Sequence, residues 1–173
     1  MPAYMNYFTT DHIDLRLLEE LQRDASRPNH ELAALAGVSP ATSLRRIRRL
    51  EEAGIIEKQV ALLQPDRLAS VLGHGLTALL EVSLDRQGQE HLDAFEALAV
   101  ADPAVQQCYR VSPGPDFVLV VAVRDMPGYQ ALAQRLLTQH ANVRNVRAFF
   151  STKRAKFAPQ QPLPETTVRT SAG

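Results

Sequence analysis

Apolar residues recur at helical spacing in the first third of the chain and switch to strand-like alternation after residue 75. Ile13, Leu17, Leu18 and Leu21 share one side of a helix predicted from Asp11 to about Arg23, with Thr10 or Asp11 able to cap it. Pro28 breaks that pattern, because proline disfavours helical geometry in the residue before it. Leu32, Leu35 and Ala36 predict a short second helix from Asn29 to Ala36, with Asn29 as its cap. Gly37 ends it, since glycine adopts positive φ without a steric penalty. Ser39 and Pro40 form a helix start, and the third helix runs to Ala53 before Gly54 stops it. Ile55 to Leu63 is rich in Ile, Val and Leu and predicts a strand or a pair of short strands.

Beyond Pro65 the composition changes, and Asp66 to Gly75 reads as a linker with a short helical piece, closed by Gly73 and Gly75. Strands are predicted over Leu76–Leu84, Ala104–Ser112, Asp116–Arg124 and Val143–Ser151. Helices are predicted over Gln87–Ala101, with Leu92, Phe95, Leu98 and Ala99 inward, and over Pro127–Gln139. This β-α-β-β-α-β order is that of a ferredoxin-like sandwich, one antiparallel sheet with both helices on one face. The other face needs a cover, and a second copy of the same domain supplies one. Phe149 and Phe150 point to opposite faces of the last strand, one toward the core and one toward such an interface. The expected class is therefore α+β, an N-terminal winged helix-turn-helix joined to a C-terminal ferredoxin-like domain. The expected divisions are a tail at 1–10, the winged helix-turn-helix domain at 11–63, a hinge at 64–75, the ferredoxin-like domain at 76–157, and a disordered tail at 158–173.

In the first unit, Ala33, Gly37 and Val38 occupy the positions that define a helix-turn-helix: a small residue at the helix crossing, a glycine in the turn and an apolar plug. Leu44, Ile47 and Leu50 define the buried side of the third helix, about one residue later than in the tightest such units, so a slightly longer turn is expected. Thr42, Arg45, Arg46 and Arg49 then project from the opposite side, with Arg48 at the flank. Arginines in the first turns of such a helix read guanine edges, and those further along meet phosphates. Ser39 at the helix start is placed to bond a phosphate together with free backbone N–H groups. An arginine cluster of this kind also serves as a solvated face paired with acids such as Glu51 and Glu52. The Ala-Gly-Val turn before it and the Gly-Ile-Ile run after it favour DNA binding.

Charge sharpens this picture. The 173 residues carry 19 Lys+Arg and 19 Asp+Glu, so the net charge is zero and the positive potential has to be local. Cys108 is the only cysteine, which excludes an internal disulfide and a multi-cysteine metal site; it reads as a small sheet residue. The five histidines share no i, i+3 or i, i+4 pairing, so neither a metal nor another cofactor is expected. No phosphate-cradling glycine loop and no G-x-S-x-G elbow is present. Met1 to Thr10 lacks the basic start and apolar core of a signal peptide and no segment reaches a membrane span, so a cytoplasmic protein is expected.

Several runs, taken in order, resemble the Lrp/AsnC regulators. They are Asp14 to Leu18, Glu31-Leu32-Ala33, Gly37-Val38-Ser39-Pro40, Arg48-Arg49-Leu50-Glu51, Gly54-Ile55-Ile56 and Ala61 to Pro65. Asp125-Met126 with Tyr129 fits the start of the second helix of that family's C-terminal domain, and the likeness extends from about Asp11 to Phe157. The resemblance implies a sequence-specific transcription regulator of double-stranded DNA that is not an enzyme. It implies homodimers through the C-terminal sheets, often assembled into octamers, and an effector, usually an amino acid, bound where dimers meet. Its implied contacts here are Ser112, Gly114, Asp116 and Met126. Pro113 and Pro115 depart from the family pattern, stiffen that turn and remove two N–H donors. Asp116 reads equally as a turn or strand cap.

Two other readings share the architecture. One is a low-specificity DNA-organising protein, in which Lys153, Arg154 and Lys156 could touch wrapped DNA. The other is a decarboxylase-like enzyme, which needs convergent His or Arg residues that the sequence does not show. On the DNA-reader expectation, replacing Arg45, Arg46 and Arg49 together by Ala abolishes a gel shift while size-exclusion chromatography shows the oligomer intact.

Overall fold

The computed structural model describes residues 9–72, 75–139 and 142–164. Residues 1–8 of the expected N-terminal tail, Gly73 of the hinge and 165–173 of the C-terminal tail lie outside the described residues. The chain divides into two units, Met1–Ala61 with Phe157–Gly173, and Leu62–Lys156.

In the first unit three helices follow the apolar periodicity: α1 (His12–Arg23), α2 (Asn29–Ala36) and α3 (Pro40–Glu52). Asp11 caps α1, its Oδ1 accepting the N–H groups of Ile13 at 2.9 Å and Asp14 at 3.0 Å, while Asp14 Oδ2 accepts the Asp11 N–H at 3.1 Å. The two carboxylates thus satisfy each other's orphan donors reciprocally. Asn29 does not cap α2. The cap is Pro28, and Asn29 Nδ2 instead donates to the Pro40 carbonyl at 2.8 Å, tying the start of α2 to the start of α3. Gly37 stands at φ 71°, and the N–H of Val38 reaches back to the Ala33 carbonyl at 2.9 Å, the left-handed ending that favours glycine. Leu17, Leu32, Ala36 and Ile47 form the core, with Ile13, Leu21, Val38 and Ile56 packed around it.

The wing expected at Ile55–Leu63 is absent among the described residues. Ile55 and Ile56 return their N–H groups to the Leu50 carbonyl at 3.0 and 3.2 Å, and no strand follows. Val60, Leu62 and Leu63 stay exposed. Such residues fit a strand only when a neighbouring strand supplies the ladder, and none does so here. The unit gains instead a C-terminal segment. The Gln22 side-chain amide pairs with both polar groups of one peptide residue, accepting the Gln161 N–H at 2.6 Å and donating to its carbonyl at 3.2 Å. Of the tail expected to be disordered from Ala158, residues 158–164 are described and carry no helix or strand, and Gln160 and Gln161 bond Gln22 of α1.

The second unit begins with α4 (Pro65–Leu72), the helical piece expected in the hinge. It continues with β1 (Leu76–Leu84), α5 (Gln89–Ala101), β2 (Val105–Arg110), β3 (Phe117–Val123), α6 (Met126–Leu132) and β4 (Val143–Phe150). The antiparallel sheet has the order β2-β3-β1-β4, the ferredoxin-like arrangement. After α6 the chain widens into a π-helical stretch, Ala133–Thr138, whose last N–H, from Gln139, reaches the Gln134 carbonyl at 3.1 Å. Alternation along the strands sends Ala78, Leu80, Val82 and Leu84 of β1, and Phe117, Leu119 and Val121 of β3, toward the helices. Phe95 of α5 meets the Phe117 ring with centroids 4.8 Å apart. Leu98, expected inward, is 42% exposed; Phe95 and Ala99 hold the buried side of α5.

One ion pair pins the end of α5. Arg135 Nε and Nη2 reach the two Asp102 oxygens at 2.6 and 3.0 Å. These hydrogen bonds hold the Asp102 carboxyl below its ordinary range, outweighing the opposing effect of desolvation. A carboxyl whose folded pKa is depressed stabilises above its unfolded value and loses that contribution as pH falls through the folded one. Arg135→Gln is expected to cost about 1 kcal/mol or less at neutral pH. In urea melts the gap from the unsubstituted protein should close as the pH is lowered through the carboxylate range.

Candidate nucleic-acid interface and ligand site

The helix-turn-helix presents α3 through the packing of its opposite face. Its buried residues are Ser43, Ile47 and Leu50, whereas Leu44 is 41% exposed. Relative to the apolar stripe Leu44-Ile47-Leu50, the buried direction is turned by roughly 30°, at 100° per residue. The pattern of apolar residues passed over Ser43 because it is polar, yet a small side chain is what fits where helices cross closely. With the buried set beginning at Ser43, the longer turn inferred from Leu44 is not needed.

This rotation redistributes the arginines. Arg46 swings toward α1, where its Nη1 lies 2.7 Å from Asp11 Oδ2 and 2.9 Å from Asp14 Oδ1. Arg49 Nη2 lies 2.5 Å from Asp14 Oδ2. Asp14 is fully buried; the Arg46 side chain is 21% exposed and the Arg49 side chain 48%. The hydrogen bonds that Arg46 donates to Asp14 and Asp11 push its pKa above the ordinary value. Arg46 therefore joins two helices, which corrects its expected place on the DNA face. The outward surface is formed by Ala41, Leu44, Arg45, Arg48, Arg49 and Glu52. Arg45 and Arg48 form no ion pair among the described residues. Arg48, read from the sequence as a flank, faces out with Arg45.

Ser39 and Thr42 sit at the start of α3. The Ser39 hydroxyl accepts the Thr42 N–H at 3.2 Å and donates to Thr42 Oγ1 at 2.9 Å, so it serves first as a helix cap. The missed residue is Asp14. Its signal was present in the sequence: it falls in phase with Leu17, Leu18 and Leu21, a carboxylate on an apolar stripe, and such a group needs cationic partners.

The four expected effector contacts do not converge within one chain. Ser112 and Gly114 are exposed in the turn before β3, where Gly114 takes φ 130°. Met126, 45% exposed, starts α6 after the far end of β3. The seven residues of β3 separate them by roughly 20 Å. Asp116 Oδ2 accepts the Leu84 N–H at 2.7 Å and bonds Gln87 Nε2 at 3.3 Å, the strand-cap role. Beside these, Leu79, Tyr109 and Phe149 lie on the sheet face away from the helices, at 42%, 52% and 47% exposure. Phe150 faces the helices and meets Tyr129 edge-on at 4.9 Å. Cys108 packs against the core, where desolvation and Glu96 push its thiol pKa up. Among the described residues no group of three His, Cys, Asp or Glu side chains is set to hold a metal, and no helix is long and apolar enough to cross a membrane.

A helix-turn-helix followed by a ferredoxin-like sandwich is an architecture shared by DNA-binding transcriptional regulators. Residues 11–51 match the AsnC-type helix-turn-helix domain and residues 77–161 the Lrp/AsnC ligand binding domain. The chain belongs to the Lrp/AsnC family of transcriptional regulators. It is 38% identical to the leucine-responsive regulatory protein of Rhizobium meliloti, over 87% of this chain and 94% of that one. It is 33% identical to the Bkd operon transcriptional regulator of Pseudomonas aeruginosa, over 88% and 97%. Among solved structures it is similar to an AsnC family regulator of Agrobacterium tumefaciens, at 29% identity and TM-score 0.77, over 88% of this chain and 97% of that one. A transcriptional regulator of Neisseria meningitidis in complex with L-Met matches at 30% identity and TM-score 0.76, over 89% and 97%.

Removing Arg46 leaves the buried Asp14 short of a cation and cuts the α1–α3 tie. Arg46→Ala is expected to destabilise the helix-turn-helix by about 1–3 kcal/mol, the cost of stranding a buried polar group. Thermal unfolding followed by circular dichroism checks this, and an unchanged midpoint would place Arg46 back on the DNA face.

Proposed function

We propose that this chain is a sequence-specific, effector-responsive regulator that reads double-stranded DNA with the outward face of α3. The observation that carries the reading is the pair Arg45 and Arg48, exposed beside Leu44 and without acidic partners among the described residues, in a chain of zero net charge. Arginine forks suit guanine edges or phosphates, and the exposed Leu44 offers an apolar surface to a thymine methyl group. Ser39 and Thr42 contribute contacts at the helix start, and Arg49 contributes from the flank.

The effector reading is an amino acid bound at an interface between C-terminal domains. It is supported by the match to a ligand-binding domain and by the likeness to a regulator bound to L-Met. Ser112, Gly114, Asp116 and Met126 lie too far apart to share one pocket in a single chain, and a second chain can bring the turn of one copy to the helix start of another. The exposed apolar residues of the open sheet face support homodimerisation, since a patch of this kind needs a cover. Effector and DNA are then linked through the assembly by a coupling free energy. The cytoplasm, where the DNA lies, is the compartment that fits.

The test is binding to the DNA upstream of the gene itself, across a salt series and with a panel of amino acids that includes methionine and leucine. Arg45→Ala with Arg48→Ala should weaken binding and lower the slope of log affinity against log salt by about 1–2, as each lost phosphate contact removes about 0.9. Binding that keeps its affinity and slope would overturn the reading of α3.

A further inference from the structure

We infer that Asp14 is a positioning residue for DNA recognition: from inside the helix-turn-helix it holds the Arg49 guanidinium at the edge of the outward face of α3. This deepens the reading of α3 as the DNA-contacting helix and rests on it.

The two arginines on Asp14 differ in kind. Arg46 is mostly covered and divides its Nη1 between Asp14 and Asp11, so its contacts serve the junction between α1 and α3. Arg49 is about half exposed and borders the outward surface together with Arg45 and Arg48. Asp14 meets Arg49 through Nη2, and a guanidinium carries five N–H donors in a rigid planar fork, so this contact anchors one corner of the fork and leaves its other donors available. Asp14 itself cannot move to follow. It is fully buried, and its Oδ2 also accepts the Asp11 N–H that closes the α1 cap. A long side chain that is already held loses less rotamer freedom when it meets DNA. The acid therefore tunes a cation without meeting DNA itself.

A structural acid and a positioning acid make opposite predictions for DNA. If Asp14 only subtracts positive potential, neutralising it raises affinity for every duplex alike. If it orients Arg49, neutralising it lowers operator affinity and spares nonspecific binding. The experiment compares Asp14→Asn, Arg49→Ala, Arg49→Lys and the double variant Asp14→Asn with Arg49→Ala, in the full-length protein. Each is titrated with the upstream duplex and with a random duplex of equal length. The expected result is roughly a tenfold loss on the upstream duplex for Asp14→Asn, equivalent to about 1.4 kcal/mol. Arg49→Ala should lose a similar factor, the double variant no more than Arg49→Ala alone, and random-duplex affinity should change little for Asp14→Asn.

Upstream binding by Asp14→Asn that is unchanged or tighter overturns the inference, and so do losses that multiply in the double variant. Should Asp14→Asn melt below the assay temperature, Arg49→Lys decides. Lysine keeps the charge and lacks the fork, so selectivity for the upstream duplex is expected to fall, and unchanged selectivity overturns the proposal. The Arg45→Ala, Arg48→Ala protein separates the two levels: retained binding there sinks the reading of α3, whereas lost binding with an indifferent Asp14→Asn sinks only the role of Asp14.

Discussion

A carboxylate with no exposure to water, held by two arginines of another helix, organises the DNA-binding half of this molecule. Asp14 sits where the apolar stripe of α1 calls for a leucine, and its charge there is tolerable only with cations and hydrogen bonds around it. Such a cluster is weak evidence for net stability, since a well-packed apolar set can do as well. Its value lies in direction. An apolar contact between α1 and α3 would accept several rotations of α3, whereas a buried acid with fixed partners selects the one that brings Arg46 in and leaves Arg45 and Arg48 out.

That choice resolves how a protein of zero net charge can attract a polyanion. Of the arginines between positions 45 and 49, one is consumed internally, one is shared between the interior and the edge, and two face solvent. The acids of α1 already have cationic partners, Asp14 in Arg46 and Arg49, Glu19 in Arg23, and Glu20 in Arg23 and Arg27. Local field is therefore obtained by sorting charges around one helix, with no excess in composition.

The C-terminal half follows a different logic. Its core is apolar and sits between one sheet face and two helices, while the opposite sheet face keeps Leu79, Tyr109 and Phe149 in solvent. The turn before β3 and the start of α6 lie at opposite ends of β3, so Ser112, Gly114, Asp116 and Met126 do not line one enclosed pocket in a single copy. The C-terminal segment adds a second chain connection to the DNA-binding unit, through the Gln22 amide and the backbone of Gln161.

Periodicity alone determined the order of the strands and helices in the ferredoxin-like half, though not the π-helical widening at Ala133–Thr138. Each strand needs only its own alternation, and the predicted bounds of β1 coincide with the observed ones. The caps of α1 and α3, the left-handed Gly37 and the membership of α3 in a helix-turn-helix were legible for the same reason, being properties of a few neighbouring residues. Tertiary structure decided the rotation of α3, because a polar Ser43 is buried by its fit between helices and not by its hydrophobicity. It decided that Arg46 is an internal tie, because the partners are more than 30 residues away in the chain. It also decided that Ile55–Leu63 has no ladder in this chain: strand-forming composition is local, whereas a partner strand comes from elsewhere.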